Sequence, residues 1–354
     1  MGTPELAAHI LERLLESASG ALTTRPATES RTEAGSLAEP PERSQTQTSA
    51  QTPRRAADLA GEGAQARFEV VAVITGLDRP RGRGLATQPS AVGQIAARRG
   101  VTVYKPASVR EPGFIDLLRS LAPDLLVVAA YGRILPREVL SAPRLMPLNV
   151  HASLLPKHRG ASPVEAAILA GDHETGVSIM RMTERMDAGP VLLQRAIPIT
   201  PDDTQTSLKA RLAELGASAL LETLEKIARG VASEAAQDET QATYCRPIKK
   251  EDAWINWHAD AVYIERMARA YDPWPIARTK FAGEPLLIFR AESISDAASD
   301  QPPGTIVQVK PAPLVSCGKG LLKLVEVQAV GRKRLRASDF IHGKRVAPGA
   351  RLGV

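Results

Sequence analysis

An amide, an imidazole and a carboxylate stand near the middle of this 354-residue chain. Asn149 and His151 lie two positions apart at the end of the apolar run 146–150, and Asp187 follows 36 residues after His151. Such a trio suits transfer of an acyl group to an amine. The amine attacks neutral, negative charge gathers on the acyl oxygen, and one proton has to leave. Asn149 offers an amide donor to that oxygen. His151 offers a second donor when charged or a proton acceptor when neutral, and Asp187 can orient the imidazole and balance its charge. In a strand, residues i and i+2 share a face, so Asn149 and His151 can reach one atom. Spacing alone leaves plainer roles open. A His at a strand end can be a structural hydrogen-bonding residue, Asn stabilises turns, and Asp187 before Ala188-Gly189 can simply close one.

The elements that must position the trio read as alternating strands and helices. The apolar run 68–75 predicts a buried strand, followed by the loop Asp78-Arg79-Pro80-Arg81-Gly82-Arg83-Gly84. Helices are expected at 90–99, 111–121, 136–140, 164–170 and 206–228, and strands at 102–104, 124–130, 146–150, 175–182 and 191–197. Continuous apolar strands alternating with helices predict a Rossmann-like α/β domain, a parallel sheet covered on both faces, with working residues at the carboxyl ends of its strands. Leu6, Ile10, Leu11, Leu14 and Leu15 predict an amphipathic helix over 2–17. Residues 18–66 hold only Leu22, Leu37 and Leu59 as large apolar residues, too few to offset ordering entropy, so an insertion without fixed structure is expected there. A polar linker over 231–243 separates the catalytic domain, 1–230, from residues 244–354. There, short strands punctuated by Pro and Gly predict a small OB-like β-barrel.

Composition narrows the function classes. No run of about 18 apolar residues exists, and the N-terminus lacks a basic flank and apolar block, so neither a membrane span nor a secretory signal is expected. Cys245 and Cys317 stand far apart without zinc-ligand spacing, which points to two reduced thiols in a cytoplasmic protein and to no metal. From Gln241 onward there are 18 Lys and Arg against 11 Asp and Glu, so the C-terminal part carries the whole excess of a chain with net charge +6. That suits a polyanionic partner such as nucleic acid, though a merely solvated basic domain fits equally.

The motifs carry a closer resemblance. Asn149-Val150-His151, Ser153-Leu154-Leu155-Pro156, Arg159-Gly160, Pro163, Gly171-Asp172, Glu174-Thr175-Gly176-Val177 and Met186-Asp187-Ala188-Gly189 together resemble the signature of the folate-dependent formyltransferases. The resemblance implies that Asn149, His151 and Asp187 are catalytic and that Ser153, Leu154, Leu155 and Pro156 lie against the folate. Exposed Leu154 and Leu155, stiffened by Pro156, could wall a flat pteridine pocket. Flanking segments are similar to those of the bacterial methionyl-tRNA formyltransferases: Gly2-Thr3-Pro4-Glu5, the arginine loop 78–84, Ala130–Pro136 and Asp272-Pro273-Trp274-Pro275. That branch implies 10-formyltetrahydrofolate as donor, initiator methionyl-tRNA as acceptor, and Arg79, Arg81 and Arg83 as contacts to the tRNA, with Arg83 foremost. A monomer is expected. Arg332–Arg336, with Lys344 and Arg345, could track RNA backbone or lie in a solvated turn.

Alternatives are a small-molecule formyltransferase acting on glycinamide ribonucleotide or a sugar nucleotide, and an inactive RNA-binding paralogue. Two departures stand out, the start of the chain and the insertion over 18–66. The family opens with an apolar strand ahead of Gly-Thr-Pro, whereas only Met1 precedes Gly2 here. An upstream start, with Met1 closing that strand, is therefore expected. Lesser departures are Gly76-Leu77, His158 before Arg159-Gly160, and Glu165.

Overall fold

The computed structural model describes residues 4–19, 68–81, 86–297 and 299–353. The expected unstructured insertion, the Gly2-Thr3 part of the opening loop and Arg83 lie outside the described residues, apart from Ala18 and Ser19 at the start of the insertion's range. Among them, no helix is long and apolar enough to cross a membrane.

Helix α1 (Pro4–Ser19) leads to β1 (Val73–Ile74), the short hairpin β2 (Arg79–Arg81) and β3 (Ala86–Gln88), and α2 (Ala91–Arg98). Then follow β4 (Val103–Tyr104), α3 (Pro112–Leu121), β5 (Leu125–Ala129), α4 (Arg137–Leu140) and β6 (Met146–His151). Ser90 starts α2 by accepting from the Gly93 amide at 3.1 Å, as expected of a helix-capping hydroxyl. Pro112 opens α3, where its missing N–H costs nothing. Beyond β6 come β7 (Arg159–Gly160), α5 (Pro163–Ala170), the hairpin β8 (Glu174–Arg181) and β9 (Val191–Pro198), and the long α6 (Gln205–Ala228). Thr204 and Ser207 cap α6 reciprocally.

The expected parallel sheet differs from the observed one in two ways. First, β5 and β6 pair in parallel, but β8 and β9 continue the sheet antiparallel in the order β5-β6-β8-β9. The turn holding Asp187 is too short for a crossover helix, so β9 can only fold back beside β8. Second, the sheet is split. Among the described residues strand β1 pairs in parallel with β4 alone, over two residues, and forms no ladder with β5. Between them lies a slot of about 1130 Å³, lined on one side by residues 68–77 and on the other by 124–133. Ile10, Leu11 and Leu14 of α1 also line it, as do Phe114 and Leu118 of α3. The strand expected over 68–75 shrinks to Val73–Ile74, because no strand among the described residues pairs with 68–72.

The second half contains β10 (Tyr244–Cys245), α7 (Ala261–Ala270), β11 (Arg278–Phe281), β12 (Glu284–Ile294), β13 (Ile306–Gln308), β14 (Leu314–Ser316), β15 (Leu321–Ala329), β16 (Leu335–Arg336) and α8 (Ala337–Gly343). Strands β11-β12-β15-β14-β13 form an antiparallel sheet, with β16 added beside β15. Residues 350–353 tie its two edges together. The Ile306 amide donates to Ala350 at 2.8 Å, Leu352 to Gly304 at 2.8 Å, and Gly353 to Lys280 at 2.8 Å. The sheet thereby closes into a small barrel, which satisfies its edges. One continuous apolar core runs from Leu148, Val150 and Ile179 through α6 and α7 to Ile288, Val315 and Leu324.

Candidate active site

The strand β6 delivers Asn149 and His151 to one face, and the β8–β9 turn carries Asp187 up to them. Asn149 Nδ2 donates to Asp187 Oδ1 at 3.3 Å. His151 Nδ1 stands 3.7 Å from Asp187 Oδ2. The three residues expected to act together are therefore in one place, with the carboxylate between the amide and the imidazole. His151 is buried. Its Nε2 lies 3.0 Å from the His158 carbonyl, which can only accept, so Nε2 carries hydrogen. At 3.7 Å, Nδ1 makes no direct hydrogen bond, and it is the ring nitrogen left for a reacting group.

Asp187 is held by backbone groups that leave no trace in a sequence pattern. The Gly160 amide donates to its Oδ2 at 2.8 Å. Asp187 itself has φ +49°, the left-handed region that costs energy for a residue other than Gly. Two glycines permit this packing. A Cβ on Gly160 would sit 2.1 Å from the Cys245 carbonyl, and one on Gly189 would sit 1.8 Å from the Arg181 carbonyl. The Gly160 contact exists because β7 pairs in parallel with β10, which brings Tyr244–Cys245 directly against the site.

The Ser153–Pro156 loop needs correcting in detail. Ser153 has no accessible surface and Leu155 is buried. Ser153 Oγ donates to the Lys157 carbonyl at 2.6 Å, and Ser178 Oγ both donates to the Ser153 carbonyl at 2.7 Å and accepts from the Leu155 amide at 3.0 Å. Gln194 Nε2 donates to the Leu155 carbonyl at 2.8 Å. These bonds turn Ser153 and Leu155 inward, so only Leu154 and Pro156 keep partial exposure. The Leu155–Pro156 bond is cis.

Arg79 and Arg81 flank Pro80 on β2, beyond the carboxyl end of β1. None of the trio lines the slot between β1 and β5, although its upper end reaches Tyr131, Gly132 and Arg133. Burial pushes the Tyr131 phenol above its ordinary value against the opposing effect of Arg133. His158, noted as a departure, turns its ring to Asp172, with Nε2 to Oδ2 at 2.7 Å. Glu165 is buried and paired with Lys209 at 2.7 Å and with Gln205. Burial raises the Cys245 thiol to about 11. It therefore stays protonated near neutrality and hydrogen-bonds the His158 and Arg159 carbonyls, each at 3.4 Å. Among the described residues no group of three or more His, Cys, Asp or Glu could hold a metal.

A family model described as formyl transferase matches residues 48–224, and one described as formyl transferase, C-terminal domain, matches 247–345. The methionyl-tRNA formyltransferase of a Roseiflexus species is 47% identical over 290 residues, spanning 82% of this chain and 89% of that protein. Its counterpart in Methylococcus capsulatus is 47% identical over 282 residues, spanning 80% and 91%. Among solved structures, an N-formyltransferase from Helicobacter canadensis, in complex with folinic acid and dTDP-3-aminofucose, is similar with a TM-score of 0.53. It is 15% identical and spans 74% of this chain and 100% of that one, a likeness of fold alone.

Proposed function

The chain belongs to the methionyl-tRNA formyltransferase family of formyl transferases, and from that premise we propose that it moves a formyl group from 10-formyltetrahydrofolate to the α-amine of initiator methionyl-tRNA. The observation that carries the reading is that relatives bearing that name match along both domains, with Asn149, His151 and Asp187 assembled at one point. The α-amine attacks the formyl carbon. A new C–N bond forms, the bond from the formyl carbon to N10 of the folate breaks, and the amine proton ends on the leaving nitrogen. Asn149 Nδ2 and His151 Nδ1 hold the oxyanion, and preorganised donors of this kind lower a barrier because they need no reorientation as charge develops. Asp187 takes up the charge of a doubly protonated imidazole and assists proton removal. Leu154 and Pro156 form the apolar side of the folate position.

The acceptor is held by the arginine loop, including Arg79, Arg81 and Arg83, and by the basic barrel. Alternating Arg with Pro and Gly suits contact with phosphates or an unpaired end. The protein works in the cytoplasm as a monomer, in translation initiation. The sugar-nucleotide alternative is disfavoured by the 18 Lys and Arg after residue 240 and by the match of the C-terminal domain. Transfer of labelled formyl from 10-formyltetrahydrofolate is measured with methionyl-tRNA, glycinamide ribonucleotide and amino-sugar nucleotides side by side. Labelled formylmethionyl-tRNA is the expected product. Label appearing only in a small-molecule acceptor overturns the assignment, and binding of tRNA without transfer favours the inactive paralogue.

A further inference from the structure

The segment that joins the two domains does more than connect them. Gln237 lies within it, flanked by exposed residues, yet its carboxamide is fully occupied. Nε2 donates to the Asp187 carbonyl at 2.8 Å and to the Gly189 carbonyl at 2.7 Å. Oε1 accepts from Arg159 Nε at 3.1 Å and Nη2 at 2.9 Å. The remaining guanidinium hydrogens go to Glu239, at 2.9 and 3.1 Å, and to Tyr244 Oη at 3.2 Å. Arg159 has no accessible surface, although Glu239 above it is half exposed, so the guanidinium lies just beneath the surface.

The chemistry at this point admits few side chains. Two carbonyls call for two donors, and a guanidinium edge calls for an acceptor. A carboxamide of this length meets both, whereas a carboxylate would face two carbonyl oxygens with no hydrogen to give. The turn it grips holds Asp187 at φ +49°. The same Asp187 accepts from Asn149 and Gly160 and faces His151. We propose that Gln237 is a positioning residue for formyl transfer: it clamps the Asp187–Gly189 turn to buried Arg159 and thereby sets the carboxylate against Asn149 and His151.

The proposal rests on the formyl-transfer reading, so its test includes a readout that needs no turnover. Gln237→Met and Gln237→Asn are made in the full chain. Exchange of the Gly160 amide, which donates to Asp187, is followed by NMR beside the melting temperature. Expected is exchange of that amide at least about tenfold faster in both variants, at a rate exceeding any change in global stability. With 10-formyltetrahydrofolate and methionyl-tRNA, kcat is expected to fall about tenfold to hundredfold with KM changed less than about threefold, the pattern of a displaced catalytic group. Asp238→Asn, in the same segment but bonded to Thr240 and Gln241 and not to Arg159 or the turn, is expected to keep kcat within about twofold. Unchanged Gly160 exchange in whichever variant folds, kcat within twofold of the parent, or collapse of both variants overturns the proposal. An inactive parent chain overturns the function reading instead, and the exchange result still decides the clamp.

Discussion

Gly160→Ala tests how tightly the β7–β10 pairing and the Asp187 carboxylate are tied together. The added Cβ would lie 2.1 Å from the Cys245 carbonyl oxygen, and separations under 3.0 Å are essentially never met, so the two strands must part by close to 1 Å. Gly160 has φ +121°, where an L residue costs about 1–3 kcal/mol. Parting β7 from β10 pulls the Gly160 amide from Asp187 Oδ2, now at 2.8 Å, and a bond to a charged group contributes about 1.5–3 kcal/mol. Together these give a destabilisation of about 2.5–6 kcal/mol before relaxation, a large share of the stability of an ordinary domain. Urea unfolding monitored by circular dichroism reads it as a lower midpoint at unchanged slope. Single-turnover formyl transfer on the folded fraction should slow about tenfold to hundredfold, because Asp187 loses a donor that fixes it. Ala161→Ser, one residue on and exposed, should leave both readings in place. An unchanged midpoint together with unchanged turnover would refute the claim that this close approach holds the site.

His151→Ala should lower kcat by about a hundredfold or more, as loss of an acid–base donor does, with little change in tRNA binding; near-normal turnover sinks the mechanism. Burial of Asp203 favours its neutral form, but donors from Thr200, Ser207 and Arg211 outweigh that and hold it below its ordinary 3.8. Its folded value being depressed, its stabilisation is complete above about pH 4 and is lost as pH falls through the folded value, so Asp203→Asn should flatten the acid limb of the stability–pH curve. A curve of unchanged slope between about pH 4 and 2 contradicts this.

How much of this was legible depended on whether the signal lay in side chains or in backbone. Asn149 and His151 could be read because a two-residue period on an apolar strand is visible in the residues themselves. Asp187 could be found through the motif around it, but its φ and its Gly160 donor could not, since an amide has no letter. Gln237 sat in a segment that reads as polar linker, because a side chain making four bonds looks no different in sequence from a solvated one. Leu155 was expected outside and lies inside, turned by Ser178 and Gln194, which are distant in sequence. The barrel's short strands were partly seen. The terminal segment that closes it was missed because it pairs by isolated bridges rather than by a run of alternating residues.

The divided sheet also bears on how the molecule opens. Helix α1 meets two separate apolar cores: Ala8, Leu11 and Leu15 pack with Val73, Ile95 and Ala96, while Leu6 and Ile10 join the main core. With no ladder between β1 and β5, the helix acts as a splint across two cooperative units, and each can lose protection from hydrogen exchange at its own free energy. The smaller unit carries the hairpin of Arg79 and Arg81, and the larger carries Asn149, His151 and Asp187. Whatever fills or bridges the slot therefore sets the mechanical register between the part of the molecule that would grip a polyanion and the part that would do the chemistry.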